Sequence, residues 1–137
     1  MSIRIIPLLV ISYIVYNIVV LFGGGADAQA TLSRGVFTLP LMRKPIQLTW
    51  GDLIILLTMV LLFAELIKST FTSTSAMVDH GLSMLLFIAC LVQFLISESA
   101  ASSVFFFIMI ACLIDVVAGF SIGMRTARRD LNIGTDS

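Results

Sequence analysis

Charged residues are scarce in this chain, and their scarcity excludes several classes of protein. Only 12% of the 137 residues are charged, and eight basic residues balance eight acidic ones. Nucleic-acid binding needs basic residues clustered on one surface, and the clearest basic cluster is the short segment 125–129. Because that segment directly follows an apolar run, it is better explained as a signal for membrane orientation. We therefore expect no nucleic-acid partner.

Side chains that bind metals and cofactors are equally few. The single histidine, His80, supplies neither two axial haem ligands nor a histidine-rich metal site. The two cysteines, Cys90 and Cys112, lie inside apolar runs at similar depth, so an extracellular disulfide framework is excluded. Each is expected to be a small apolar side chain. We expect no metal, no cofactor and no enzymatic activity.

Apolar sequence is what the chain has in quantity. Hydrophobic residues make up 59% of it, and the mean hydropathy is +1.11, above the range of soluble domains. Four apolar runs account for most of its length: Ile5–Phe22, Leu53–Ile67, Leu82–Ile96 and Val104–Met124. With their flanks, these runs approach the roughly 20 residues that a helix needs to cross a bilayer. We predict an all-α integral membrane protein, a single domain over residues 1–137 with four transmembrane helices in an antiparallel bundle. The predicted spans are about 5–22, 51–69, 81–97 and 103–124.

The first run also resembles a secretory signal sequence. Arg4 precedes it, and Ala26-Asp27-Ala28 and Ala28-Gln29-Ala30 match small-residue cleavage sites. The run is about 18 residues long, whereas the apolar region of a signal has about 7–15. We therefore predict that the first span is uncleaved; cleavage would leave three spans with the same orientation.

Basic residues favour one orientation in the membrane, since Lys and Arg accumulate in short cytoplasmic loops. With the amino terminus inside, the inner side holds Arg4, Lys68, Arg125, Arg128 and Arg129, and the outer side holds Arg34, Arg43 and Lys44. Five against three favours both termini inside, with a periplasmic loop 23–49 and a cytoplasmic tail 125–137. The modest difference leaves dual topology open.

The loop 23–49 carries the pattern of two short strands. Apolar residues alternate on both sides of a turn that contains Pro45: Phe37, Leu39 and Leu41 before it, and Ile46, Leu48 and Trp50 after it. This pattern predicts a small β-hairpin; an irregular interfacial loop is the alternative. An isolated hairpin is marginal in water. Its apolar face is therefore expected to lie on the bilayer surface, on the helix ends or on a partner subunit.

Polar side chains inside apolar runs are costly and mark helix contacts or functional sites. Asn17 and Gln93 lie at similar distances from the same membrane surface, so we expect an interhelical hydrogen bond between them. Glu65 and Lys68 are three residues apart on one helix face, which predicts an ion pair near the inner surface. His80 begins the third span on the same side, within reach of Glu65.

One acid lies near the middle of the last span, in a stripe of small residues. The stripe recurs every four residues: Ala111, Asp115, Gly119 and Gly123. Its Gly-x-x-x-Gly spacing permits close helix approach, so it predicts helix packing or a partner interface. No Arg or Lys occurs in the runs at this depth. Asp115 is therefore expected to be neutral, hydrogen-bonded, hydrated or paired with another polypeptide, and proton or ion movement is the alternative role.

In size and span count the chain resembles small multidrug-resistance transporters and dual-topology fluoride channels. The resemblance covers architecture alone, because the first span lacks the coupling glutamate of the former and no fluoride-channel motif is present. The chain also resembles small inner-membrane proteins of Gram-negative bacteria, which implies that location. Its partners are then the lipid bilayer and other membrane subunits or further copies of itself. The expected function is a non-catalytic accessory or assembly subunit; the alternative is a small proton- or ion-coupled transporter or channel that uses Glu65 and Asp115.

Overall fold

A computed structural model describes residues 6–23, 27–70 and 76–135, most of which are helical. Of residues 69–70, 76–79 and 122–135 it describes the backbone only. The elements are α1 (Leu9–Phe22), α2 (Ala28–Leu32), β1 (Gly35–Leu39), β2 (Ile46–Thr49), α3 (Trp50–Thr70), α4 (Ala76–Ile96) and α5 (Ser103–Thr135). A 3₁₀ turn, Glu98–Ala100, joins α4 to α5.

The long helices α1, α3, α4 and α5 alternate in direction. The start of α1 lies beside the end of α3, where the Leu8 amide donates to Glu65 Oε2 over 2.7 Å. The second half of α1 lies beside the turn after α4, where the Tyr16 hydroxyl donates to the Ser99 carbonyl over 2.7 Å. Helix α5 packs against both α3 and α4. The result is an antiparallel bundle with one end, the hairpin end, that carries both strands and the 3₁₀ turn.

Among the described residues, two helices are long and apolar enough to cross a membrane. They are Trp50–Lys68 of α3 and Ser103–Ser121 of α5, with mean hydropathies of 2.1 and 2.5. Within the described residues, the apolar stretches Leu9–Phe22 and His80–Ile96 fall short of 18 residues. By length and composition the structure therefore supports two of the four predicted spans, and the other two stay a prediction.

The helix bounds differ from the predicted spans in instructive ways. Residue 5, the predicted start of the first span, lies outside the described residues, and α1 begins at Leu9. Pro7 lies just before it, a position where a fixed φ and a missing N–H suit a helix start. Helix α4 begins earlier than predicted, at Ala76, and α5 continues past residue 124 to Thr135. The basic segment 125–129 is therefore part of a helix.

The predicted hairpin is present. Its strands pair antiparallel in the register Phe37↔Leu48, Thr38↔Gln47 and Leu39↔Ile46. Because successive side chains alternate between faces, the apolar pairs share one face and the polar pair lies on the other. β2 passes directly into α3, where the Trp50 amide donates to the Arg34 carbonyl over 3.1 Å. The hairpin is therefore fixed at its base to the first turn of a candidate span.

Helix α2 was not predicted, and it folds back over the end of α1. Asp27 caps it, since its Oδ1 accepts a 3.0 Å hydrogen bond from the Gln29 amide. The Thr31 side chain lies directly against Gly23, where any Cβ would collide with it. Glycine at this position therefore permits the close approach of α2 to α1. Of the two candidate cleavage sites, Ala28-Gln29-Ala30 lies in α2, and Ala26 lies outside the described residues.

Candidate functional site

Polar side chains of the helices meet inside the bundle in separate layers. In the layer nearest the hairpin end, the Tyr13 hydroxyl donates to Gln93 Oε1 over 2.5 Å. Gln93 Nε2 donates in turn to Asn17 Oδ1 over 2.8 Å, and Asn17 Nδ2 donates to the Tyr13 carbonyl over 2.8 Å. The structure thus brings the predicted pair together. It adds Tyr13, which sequence reasoning missed because tyrosine also fits an apolar run.

A second tyrosine joins α1 to the α4–α5 turn. Tyr16 is fully buried; besides its bond to Ser99, its hydroxyl lies 2.7 Å from Ser102 Oγ. Ser102 precedes α5 and accepts a 3.2 Å hydrogen bond from the Phe105 amide, as an N-capping residue does. The Tyr16 and Phe105 rings also pack with centroids 5.0 Å apart. Tyr16 therefore positions the start of α5, a role that the sequence did not reveal.

A smaller layer lies deeper in the bundle, between α1 and α3. Thr58 Oγ1 is 3.0 Å from Ser12 Oγ and 2.8 Å from the Ile54 carbonyl oxygen, and a hydrogen bond joins each pair. Both hydroxyls are buried, with Ser12 at 0% and Thr58 at 3% exposure. Both hydroxyls therefore have hydrogen-bonding partners within the protein, as expected for a structural contact between helices.

The layer at the opposite end from the hairpin contains the predicted ion pair. Glu65 Oε1 lies 3.3 Å from Lys68 Nζ, while Oε2 accepts the hydrogen bond from the Leu8 amide. Lys68 Nζ donates to the Ile6 carbonyl over 3.0 Å. Glu65 is 0% exposed, so the carboxylate is buried in the bundle and does not extend to the surface. We call Glu65 and Lys68, with the two backbone groups that they bind, the α1 clamp.

The α1 clamp solves a problem at the helix start. The first amides of a helix have no intrahelical acceptor, and no side chain of residue 8 caps α1. Glu65 of α3 supplies the missing acceptor, and its negative charge lies at the positive end of the helix dipole. One indication of this arrangement was available in the sequence. Residues 3–8 contain no Ser, Thr, Asp or Asn, the residues that usually cap the start of a helix.

The structure does not join His80 to this layer. His80 is partly exposed on α4, and within the described residues no hydrogen bond or ion pair links it to Glu65. The sequence placed His80 within reach of Glu65, and that proximity stays a prediction.

The stripe of small residues lies largely inside the bundle. Ala111 is 6% exposed and Asp115 is 4% exposed, and Gly119 is also buried. Gly123 belongs to the part of α5 that is described by its backbone only. Ala111 borders α3, since it lines a groove together with Thr58. One position further on, Cys112 is buried near Cys90 of α4. The described part of the stripe thus packs inside the protein's own bundle.

The same stretch of α5 contains a Gly-x-Ser-x-Gly pattern over residues 119–123, which sequence reasoning also missed. In hydrolases this pattern forms a sharp turn between a strand and a helix that exposes the serine. Here it lies within the continuous helix α5, which has no such turn. In the described part of the chain, no three His, Cys, Asp or Glu side chains are grouped to hold a metal ion.

Comparison of the chain with protein-family models, with curated proteins and with solved structures gives no match. The function must therefore be argued from the geometry. The arrangement offers hydrogen bonds that join helices, an ion pair within α3 and two buried acids, Glu65 and Asp115.

Proposed function

We propose that this protein is a four-span membrane protein of the bacterial inner membrane. We propose further that it acts, without catalysis, as an accessory or assembly subunit that docks on other membrane proteins or on copies of itself. The observation that carries the proposal is the separation of polar and apolar side chains in the bundle. Polar side chains of α1, α3 and α4 bond to one another inside. Large apolar side chains cover the outside of the helices, among them Ile14, Ile18, Met59, Phe63, Leu85, Val92 and Phe120. Contiguous apolar exteriors of this kind mark membrane or protein contacts.

The way in which the helices pack supports the proposal of four spans. If α3 and α5 cross a bilayer, α1 lies beside α3 and α4 lies beside α5 in the same slab. The alternating helix directions then put loop 23–49 and the 3₁₀ turn on one side. Reporter fusions within loop 23–49 and after Met124 test this topology. We expect a periplasmic loop and a cytoplasmic carboxyl end, as the basic residues favour; a periplasmic carboxyl end contradicts the topology.

The proposal of a docking role rests on where the polar side chains make their hydrogen bonds. Hydrogen bonds that join different helices lie inside the bundle, so little polar chemistry remains for a substrate in the described helices. The exterior offers apolar helix faces and an exposed hairpin instead. Co-purification from native membranes in a mild detergent tests the role. We expect a stable partner or a defined self-oligomer, and an isolated monomer at native expression level contradicts docking.

A small proton- or ion-coupled transporter is the second candidate, and the burial of Glu65 and Asp115 favours it. Coupling needs an acid that changes charge inside the protein. Asp115→Asn separates the two functions, since asparagine retains the shape and hydrogen-bonding capacity but cannot titrate. We expect no flux in liposomes for the wild type, near-normal stability for Asp115→Asn and lower stability for Asp115→Leu. Wild-type flux that disappears in a folded Asp115→Asn variant contradicts the docking role.

A further inference from the structure

A pocket of about 310 Å³ opens at the hairpin end, between the end of α1 and the start of α3. Its volume lies at the lower end of the range for small-molecule sites, about 300–1,000 Å³. One part of the lining is apolar and consists of Ile18, Val19 and Phe22 of α1; the rest consists of Gly23, Thr31, Arg34 and Trp50. The pocket is thus divided into an apolar half and a half with one cation and one indole.

The cationic half of the pocket carries the exposed side chain of Arg34. Within the described residues the Arg34 guanidinium makes no hydrogen bond and no ion pair, and the residue is exposed. Residues 27–52 hold two further cations, Arg43 and Lys44, at the hairpin tip, and with the acids Asp27 and Asp52 this segment has a net charge of +1. This part of the chain therefore complements an anion. Guanidinium binds phosphate oxygens in a bidentate manner, with both geometry and charge favourable.

The apolar half continues onto the surface of α1. Ile18 is 49% exposed and Phe22 is 80% exposed, so this wall faces the surroundings of the bundle. Trp50 is 41% exposed at the first residue of α3, the position where aromatic residues mark the level of lipid headgroups. Arg34 thus lies at headgroup level, and Ile18 lies about one helical turn deeper than Phe22.

We propose that this pocket binds an anionic phospholipid, with the phosphate on Arg34 and one acyl chain along Ile18 and Phe22. The proposal rests on the membrane location proposed above. An anion alone would leave the apolar wall unused, and an uncharged lipid would leave Arg34 without its partner. An amphiphile with one phosphate engages both halves.

The test counts lipids that stay bound to the purified full-length protein in native mass spectrometry, with phosphatidylglycerol or phosphatidylcholine added. Arg34→Gln should weaken retention of phosphatidylglycerol about five-fold, the effect of one cation near an anionic headgroup. Arg43→Gln is the matched control, because it removes the same charge from an exposed position outside the pocket. Arg43→Gln should change the retention of phosphatidylglycerol less than two-fold, because the charge of Arg43 lies outside the pocket and is screened by salt. Arg34→Lys should restore part of the loss.

Two further measurements distinguish a lipid phosphate from a free phosphate ion as the ligand. Ile18→Trp fills the apolar half from an exposed position and should also reduce retention of phosphatidylglycerol. Inorganic phosphate, added in excess, should not displace the lipid. Displacement by phosphate together with no effect of Ile18→Trp overturns the lipid in favour of a free anion.

Equal losses of phosphatidylglycerol retention for Arg34→Gln and Arg43→Gln overturn the proposed binding in the pocket. They indicate that the lipid is attracted diffusely to the positively charged surface. Extraction of native membranes with alkaline carbonate tests the location separately. Release of the protein into the soluble fraction contradicts the proposed membrane function. Retention in the membrane combined with unchanged lipid binding in Arg34→Gln overturns the lipid site alone.

Discussion

The α1 clamp gives the sharpest stability prediction, because one buried side chain holds the start of a helix. We consider Glu65→Gln and Glu65→Leu. Glutamine retains an oxygen that can accept from the Leu8 amide, but it loses the charge that faces Lys68 and the helix dipole. Leucine removes the acceptor altogether and leaves the Leu8 amide and the ammonium of Lys68 without the carboxylate that both bind.

The magnitudes follow from the contacts. A hydrogen bond to a charged group contributes about 1.5–3 kcal/mol and a neutral one about 0.5–1.5 kcal/mol. A charge near a partly buried helix end stabilises the folded protein by at most about 2 kcal/mol more. Glu65→Gln should therefore lower the free energy of unfolding by about 2–3 kcal/mol. Glu65→Leu should cost about 3–5 kcal/mol, as the removal of one partner of a buried ion pair does.

A second acid at a helix start provides the matched control. Asp52 Oδ2 accepts from the Thr49 amide over 3.1 Å, and Thr49 Oγ1 accepts from the Asp52 amide over 3.2 Å, but this capping box is exposed. Asp52→Asn should cost about 0.3–1 kcal/mol, the usual effect of a surface charge at a helix end.

The assay combines a global and a local measurement. Denaturant titration of the purified protein in mild detergent, followed by circular dichroism, gives the free energy of unfolding. Hydrogen exchange at the amide of Leu8 gives the local effect, which should accelerate in both Glu65 variants and stay unchanged in Asp52→Asn. If Glu65→Gln unfolds like the wild type and the exchange at Leu8 is also unchanged, the capping role of Glu65 is refuted.

Two further predictions concern the hairpin end of the bundle. Tyr16→Phe removes the hydroxyl that bonds to the Ser99 carbonyl and to Ser102 Oγ and should lower the free energy of unfolding by about 1–3 kcal/mol; an unchanged denaturation midpoint contradicts this. Gly51→Ala places a Cβ 2.9 Å from Cγ2 of Val104 and should destabilise by about 1–3 kcal/mol through overpacking. Gly81→Ala, which meets nothing within 4 Å, is its control, and equal midpoints for the two variants contradict the contact with Val104.

Apolar patterning predicted the helices and the hairpin because both depend on local periodicity. The runs around α3 and α5 are long and uniform, and the alternation of Phe37 and Leu39 against Ile46 and Leu48 predicted the two strands. The contact between Asn17 and Gln93 was also predictable, since depth along antiparallel helices fixes which residues are neighbours.

Contacts that depend on three-dimensional packing were not predictable in the same way. Hydropathy treats Tyr13 and Tyr16 as apolar, so their hydroxyl groups went unnoticed, although both bond across the bundle. The ion pair of Glu65 and Lys68 follows from helical spacing, whereas its use as a cap for α1 depends on how α1 packs against α3. The period-four stripe predicted a packed face of α5 but not which helices cover it.

A set of hydrogen bonds explains how α1 is held. Seven hydrogen bonds that involve side chains join residues 6–17 to distant parts of the chain. Helix α1 has 14 residues, against 21 in α3 and 33 in α5. In a bilayer the lipid tails are as apolar as leucine, so contact area alone gives little preference for one helix position. Bonds at three depths, to α3, to α4 and to the turn before α5, therefore fix the rotation and vertical position of α1. We infer that α1 is the first helix to separate when these bonds are removed.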